Sequence, residues 1–298
     1  MFAFHPCYAH PLPDGHRFPM LKYELIPEQL IYEGSITPDQ LFEPGMPSLS
    51  SLLAVHDQRY LDKLFQLSLS KSEERKTGFP LSKELILREQ RIMQGTVECA
   101  LIALEKGFAL NIAGGTHHAF RDRGEGFCLL NDLAIAAQYL LDRGLRKRIL
   151  IVDLDVHQGN GTASIFQKEN RVFTFSMHGE HNYPLQKEKS DLDIPLPDGC
   201  SDAQFLGLLN YHLPKVVDQF QPDFIFYQSG VDILETDKLG RMKVSLEGLK
   251  ERDRIVVNTA QKNQIPLTGA MGGGYSEDIR IIVEAHCNLF RLITTLAV

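Results

Sequence analysis

Short apolar runs recur along the chain, each set apart by longer segments of helical periodicity: FALNIAGG, RILIVDLD, RVFTFSMH, DFIFYQSG and IPLTGAMGGG. This alternation constrains the fold more than any single residue does. Apolar runs of this length suit strands buried on both faces, and strands spaced by helices are joined by crossovers that leave them parallel. The pattern predicts an α/β fold: one domain over 1–298, with a central, mostly parallel sheet covered by helices on both faces. Helices are predicted from Ser82 to Lys106, stopped by Gly107, and from Leu130 to Arg143, stopped by Gly144. Ser276 is expected to cap the last helix, with Glu277 and Asp278 in its first turn. The polar stretches 70–79 and 178–199 read as loops rather than linkers, because β-α units continue on both sides.

Composition narrows the class. At 298 residues and 43% hydrophobic content the chain can bury a large core. A net charge of −7 without any Lys/Arg block argues against nucleic acid as a direct partner. The cysteines, Cys7, Cys99, Cys128, Cys200 and Cys287, are odd in number and never form a C-x-x-C pair. That argues against both a disulfide framework and a cysteine-based zinc site, and suits a reducing compartment. The start, MFAFHPCYAHPLPDGHRF, lacks a charged segment followed by an apolar one, and no apolar stretch approaches the roughly 18 residues of a membrane span. The expectation is a cytoplasmic protein without membrane association.

Every chemically unusual cluster follows one of the apolar runs: GGTHH at 114–118, DLDVH at 153–157, SGVD at 229–232 and GGGY at 272–275. In an open parallel sheet the carboxyl ends of the strands share one edge, and ligands bind there. With side chains alternating along a strand, Asp153, Asp155 and His157 point to one side, where two or three of them can share a metal, with Asp232 as a further carboxylate. Three mixed oxygen and nitrogen ligands with a position left for water is the layout of a catalytic zinc site. The same donors also suit Fe(II), Co(II) or Mn(II). Taken alone, D-x-D-x-H also describes a strand end with solvated acids, a reading that loses weight beside GGTHH and GGGY.

In order, GGTHHAF, GFCLLND, IVDLDVHQGNG, SGVD and GGGY resemble the zinc-dependent histone deacetylases and their bacterial relatives, which share the arginase–deacetylase fold. The resemblance runs from about His5 to the last helix. DVHQGNG and the N-terminal HPLPDGHRFP look most like the class IV branch. It implies a sheet of about eight strands and an amide hydrolase that removes acyl groups from lysine side chains. Asp155, His157 and Asp232 would be the zinc ligands, His117 and His118 the proton-handling dyad, and Tyr275 the hydroxyl that polarises the amide carbonyl. Asp153 would orient His117. Asn160 stands where many members carry an aspartate that orients the second histidine, so His118 should lose its proton more easily here. A metal that lowers the pKa of water to roughly 7, a histidine to move its proton and a donor beside the nascent oxyanion make a consistent set.

By the same resemblance Gly126 would accept a hydrogen bond from the substrate amide, with Phe127 and Tyr183 as tunnel walls, Leu239 at the tunnel mouth and Gly273 beside the substrate. A structural potassium ion would be held by Asp153, Asp155, His157, Ser176 and the carbonyl of Met177. An apolar Leu239 resembles the lysine deacylases, whereas polyamine deacetylases place an acid nearby; Glu235 and Asp237 keep that second reading open. The implied partner is thus an acyl-lysine protein or peptide, or an acylated small amine. Two further readings share parts of the pattern: an arginase-like ureohydrolase, which needs an extra carboxylate near Gln158 to Asn160, and a silent acyl-lysine reader. His5, His10 and His16 read as histidines of a solvated loop, Cys128 as packing, and VHDQRYL at 55–61 as a structural helix.

Overall fold

A computed structural model describes residues 1–296. Its strands are β1 (Phe2–Ala3), β2 (Leu41–Phe42), β3 (Phe108–Asn111), β4 (Ile149–Asp153), β5 (Val172–Gly179), β6 (Leu192–Leu196), β7 (Phe224–Gln228) and β8 (Leu267–Ala270). They form one eight-stranded sheet in the order β2-β1-β3-β8-β7-β4-β5-β6, and every pairing is parallel. All residues of β4, β7 and β8 are buried. That is why those runs are continuously apolar instead of alternating: helices cover both faces, and each fully buried Ile, Leu or Phe contributes about 1.5–3 kcal/mol.

The helices are α1 (Lys22–Tyr32), α2 (Leu49–Leu53), α3 (Gln58–Phe65), α4 (Lys71–Thr77), α5 (Lys83–Lys106), α6 (Asp132–Asp142), α7 (Asn160–Phe166), α8 (Asp202–Phe220), α9 (Leu246–Lys262) and α10 (Ile279–Leu296). The ends of α5 and α6 are cut by side chains: Ser82 accepts from Leu85 N, and Asn131 accepts from Ala134 N. Of the helix expected at 55–61 only 58–61 is helical, as the start of α3; Val55 to Asp57 form the turn before it, where His56 bonds the carbonyl of Phe120 and the amide of Asn131.

Three local expectations fail for identifiable reasons. Residues 70–79 are not a loop, because Ser70 and Glu73 form a reciprocal capping box that starts α4, and Gly78 ends it in the left-handed region. Within 178–199, β5 continues to Gly179 and β6 adds an edge strand, where Pro195 is tolerated. Ser276 does not cap α10, which begins three residues later; it is held by an antiparallel bridge to Asp237, and its hydroxyl lies 2.7 Å from that of Thr236.

What positions the site is the register. Asn111 of β3 pairs with Ala270 of β8, Ala270 with Gln228 of β7, Gln228 with Asp153 of β4, and Asp153 with Ser176 of β5. Four of these strands end on this one row. Hence the polar clusters after Asn111, Asp153, Gln228 and Ala270 leave the sheet at one height.

Candidate active site

The chain does not carry Asp155 and His157 on a strand. β4 stops at Asp153, and the carboxylates then bend the backbone: Asp153 Oδ1 accepts from Asp155 N at 3.2 Å, and Asp155 Oδ1 accepts from His157 N at 2.9 Å. These successive Asx-type turns replace the expected alternation, because an aspartate can satisfy the amide two residues on. Asp232, reached from the end of β7, accepts from Val156 N through Oδ1 and locks the two segments together.

Asp155, His157 and Asp232 each offer a ligand atom, and the three atoms lie within 4.8 Å of one another. His157 Nδ1 is 3.0 Å from Asp155 Oδ1 and 3.1 Å from Asp232 Oδ2. The carboxylates are 1% and 0% exposed. Burial and the charge of Asp155 push Asp232 up to about 7. One imidazole nitrogen cannot compensate two buried carboxylates, whereas a divalent cation can, and the mixed oxygen and nitrogen donor set fits one. Room for these carboxylates depends on glycine: a Cβ at Gly230 would collide with Asp155 Oδ2, and one at Gly273 with Asp232 Oδ2.

The tandem histidines sit beside this cluster with ring centres 4.2 Å apart, and their environments differ. His117 Nδ1 lies 2.7 Å from Asp153 Oδ2; burial works against its charge, but Asp153 and Asp155 outweigh it and raise the ring to about 9. His118 Nδ1 lies 2.6 Å from Asn160 Oδ1, which also accepts from Gly161 N at 3.0 Å. Since Asn160 presents its oxygen to both, the proton of a neutral His118 belongs on Nδ1, and Nε2 keeps its lone pair. Burial, with the positive charge of His117, pushes His118 well below the usual imidazole range, and the amide supplies no charge to oppose it.

Asp155, His157, Asp232, His117 and His118 face a cavity of ≈ 580 Å³ that Gly126, Phe127, Tyr183, Leu239, Gly273 and Tyr275 also line. Phe127 adopts a φ of 66°, which costs an L-residue about 1–2 kcal/mol. The amides of Gly126 and Phe127 hold it there by donating to the carbonyls of Lys76 and Thr77. Tyr183 packs edge-on to His118 at 5.0 Å and donates its hydroxyl to Glu125. Tyr275 is placed by Asp237, whose Oδ2 accepts from Tyr275 N at 2.6 Å while Oδ1 accepts from Leu239 N and Gly240 N. Asp237 is therefore turned inward onto three amides, and Glu235 is exposed outside the cavity lining. Behind the cluster, Ser176 bonds His178 Nδ1 at 2.9 Å.

The histone deacetylase domain family matches residues 16–290. The chain belongs to the histone deacetylase family. An uncharacterized protein of Picosynechococcus sp. is 45% identical to this deacetylase over 289 residues, 97% of this chain and 96% of the relative. Histone deacetylase 2 of Arabidopsis thaliana is 31% identical over 289 residues, 93% of this chain and 74% of the relative. Among solved structures, an HDAC homolog from Aquifex aeolicus superposes with a TM-score of 0.85 at 25% identity, covering 99% of this chain and 83% of that one.

The deacetylase also places three buried cations around its site that motif reading passes over. Lys22, 0% exposed, donates to the carbonyls of Gly272 and Gly273 at 3.0 and 3.4 Å, and burial draws its amine down to about 8 against the pull of Asp232 and Asp155. Arg88, paired with Glu89 at 2.5 Å, lines the cavity. Arg252, paired with Asp253 at 2.8 Å, bonds the carbonyls of Ser229 and Gly230 just before Asp232. A signal for each existed, because each stands on the apolar stripe of its helix: Lys22 with Ile26 and Leu30, Arg88 with Leu85 and Ile92, Arg252 with Leu249 and Val256. His16 is likewise not a solvated histidine: its ring bonds Gly78 O at 2.9 Å and packs on Phe79 and Phe127. Cys128 is buried, and burial holds its thiol well above the ordinary range, as packing requires.

Proposed function

We propose that this deacetylase is a metal-dependent hydrolase that removes acetyl or longer acyl groups from lysine side chains. The observation that carries the reading is the meeting of Asp155, His157 and Asp232 with the unequal dyad of His117 and His118 at the base of one cavity. Asp155, His157 and Asp232 would hold zinc, or Fe(II) or Co(II), which when bound supplies Lewis-acid polarisation of the acyl oxygen and a water of lowered pKa. A structural potassium ion would be held by Asp153, Asp155, His157, Ser176 and Met177.

His118, neutral and with Nε2 free, takes a proton from the attacking water. His117, kept charged by Asp153, holds positive charge beside the reacting carbon and is a donor to the departing amine. Tyr275 donates its hydroxyl to the acyl oxygen as negative charge grows there. Gly126 accepts from the amide nitrogen, and Phe127, Tyr183 and Leu239 surround the acylated chain. The inward turn of Asp237 favours lysine over polyamine carriers, since it leaves no free acid beside Leu239 for a second ammonium.

The test is a panel of acetyl-, decanoyl- and myristoyl-lysine peptides with acetylspermidine, run on protein of measured metal content. Turnover of at least one acyl-lysine peptide above acetylspermidine is expected. A tenfold or greater preference for the polyamine would overturn the lysine assignment.

A further inference from the structure

The proposed chemistry leaves the charges at the cavity mouth unused. Arg17, Lys76 and Arg241 line the cavity as exposed cations. Arg17 lies with its guanidinium 4.9 Å from the centre of the Phe127 ring. Neither Arg17 nor Lys76 has an ion-pair partner among the described residues. Lys76 is anchored to the lip itself, because its carbonyl accepts from Gly126 N at 3.0 Å. Among the described residues Arg241 pairs only with Asp198, at 3.3 Å and with both side chains about half exposed, and Asp198 also faces His181 at 3.4 Å.

The carboxylate at the mouth is already engaged. Glu125 Oε1 is 2.8 Å from Arg123 Nε, and its Oε2 accepts from the Tyr183 hydroxyl at 2.8 Å. The chain as a whole carries −7, so a cationic lip reverses the prevailing field at the place where a substrate enters. Charges of one sign around a cleft raise the local concentration of the opposite sign.

We propose that the mouth selects an acylated amine on an anionic carrier: an acyl-lysine flanked in its peptide by aspartate or glutamate, in preference to one flanked by lysine or arginine. This rests on the acyl-lysine reading above and adds the carrier to it. Acylation removes the charge of the amine, so the reacting group is neutral and the base of the cavity does not sense what carries it. Flanking side chains stay outside, within the field of Arg17, Lys76 and Arg241. The distal ammonium of an acetylpolyamine meets the same three cations and is repelled.

The test compares acetyl-lysine peptides of one length flanked by Glu, Ser or Lys, at low salt and near 1 M NaCl, where the screening length is about 3 Å. At low salt the Glu-flanked peptide is expected to exceed the Lys-flanked one by about tenfold in kcat/KM. The gap should close at high salt, and at low salt in the Arg17→Gln/Lys76→Gln variant. Equal rates in the unaltered enzyme, or a gap that survives in the double variant, would overturn the proposal. A small-molecule pair, 6-acetamidohexanoate and N-acetylcadaverine, separates the source of the anion: preference for the former without any difference among the peptides overturns the peptide assignment. Anisotropy of labelled peptides reads the same order without turnover. Protein that binds the Glu-flanked peptide most tightly but hydrolyses none supports the carrier inference and overturns the hydrolase reading; equal hydrolysis and binding of all three overturns the carrier inference alone.

Discussion

The base and the mouth of the cavity are built by different means. At the base, strand ends in a shared register deliver the functional groups, side chains are almost wholly buried, and carboxylate oxygens accept from backbone amides. At the mouth, loops and the end of α4 deliver them: Tyr183 is 40% exposed, Leu185 is 90% exposed, and Arg17 and Lys76 stand without ion-pair partners among the described residues. Chemistry that must recur identically in each turnover is fixed by the sheet, while recognition of whatever carries the acyl group is left to groups that can be exchanged without disturbing it.

Four substitutions test that division. Asp232→Ala should do the most damage, since it removes a ligand atom and the clamp on Val156 N together; elemental analysis should find no bound metal, and activity should fall to background. A full metal equivalent in active Asp232→Ala protein would mean that the ligands lie elsewhere. Lys22→Met comes next. It strips the donor from the Gly272 and Gly273 carbonyls, and because misplacement by about 1 Å can cost about 10²-fold, kcat should fall about 10- to 100-fold with metal retained. Unaltered kcat would assign Lys22 to packing alone.

Asn160→Asp should change where the enzyme works more than how fast. A carboxylate against His118 stabilises the imidazolium, so the base stays protonated to higher pH, and the acidic limb of kcat/KM should move up by about one unit or more at constant metal content. A profile superimposable on that of the unaltered enzyme would show that Asn160 does not govern His118. The smallest effect is expected at the mouth. Leu239→Glu places one exposed charge there, worth about 0.2–1 kcal/mol, and should narrow the preference for acyl-lysine peptides over acetylspermidine by at most about fivefold. A larger change, or loss of metal, would show that mouth and base are coupled.

The same division explains what the sequence made legible. The α/β class and the order of the polar clusters could be read because apolar runs mark strands, and a parallel sheet turns their order into a shared edge. Asn160 was legible as the partner of His118 only through the resemblance of DVHQGNG to the family's motif, since β4 ends at Asp153 and Asn160 opens α7. Lys22, Arg88 and Arg252 were not, since a charged residue in a helix is ordinarily solvated, and only its place on an apolar stripe says otherwise. Short elements such as α4 and β6 escaped because a single cap or one edge pairing decides them.

Asn160 also has a chemical lifetime. It precedes Gly161, the neighbour that least hinders attack of a peptide nitrogen on an asparagine side-chain carbonyl, a reaction that expels ammonia and leaves a carboxylate as aspartate or its isomer. In the folded enzyme that nitrogen is constrained within α7, where its N–H points at the amide oxygen, and the pair is sealed from solvent. Only an opened chain is free to react. Each excursion out of the native fold therefore risks a permanent negative charge against His118, so that, with His118 as the proposed base, the pH profile becomes a record of how long the molecule has spent unfolded.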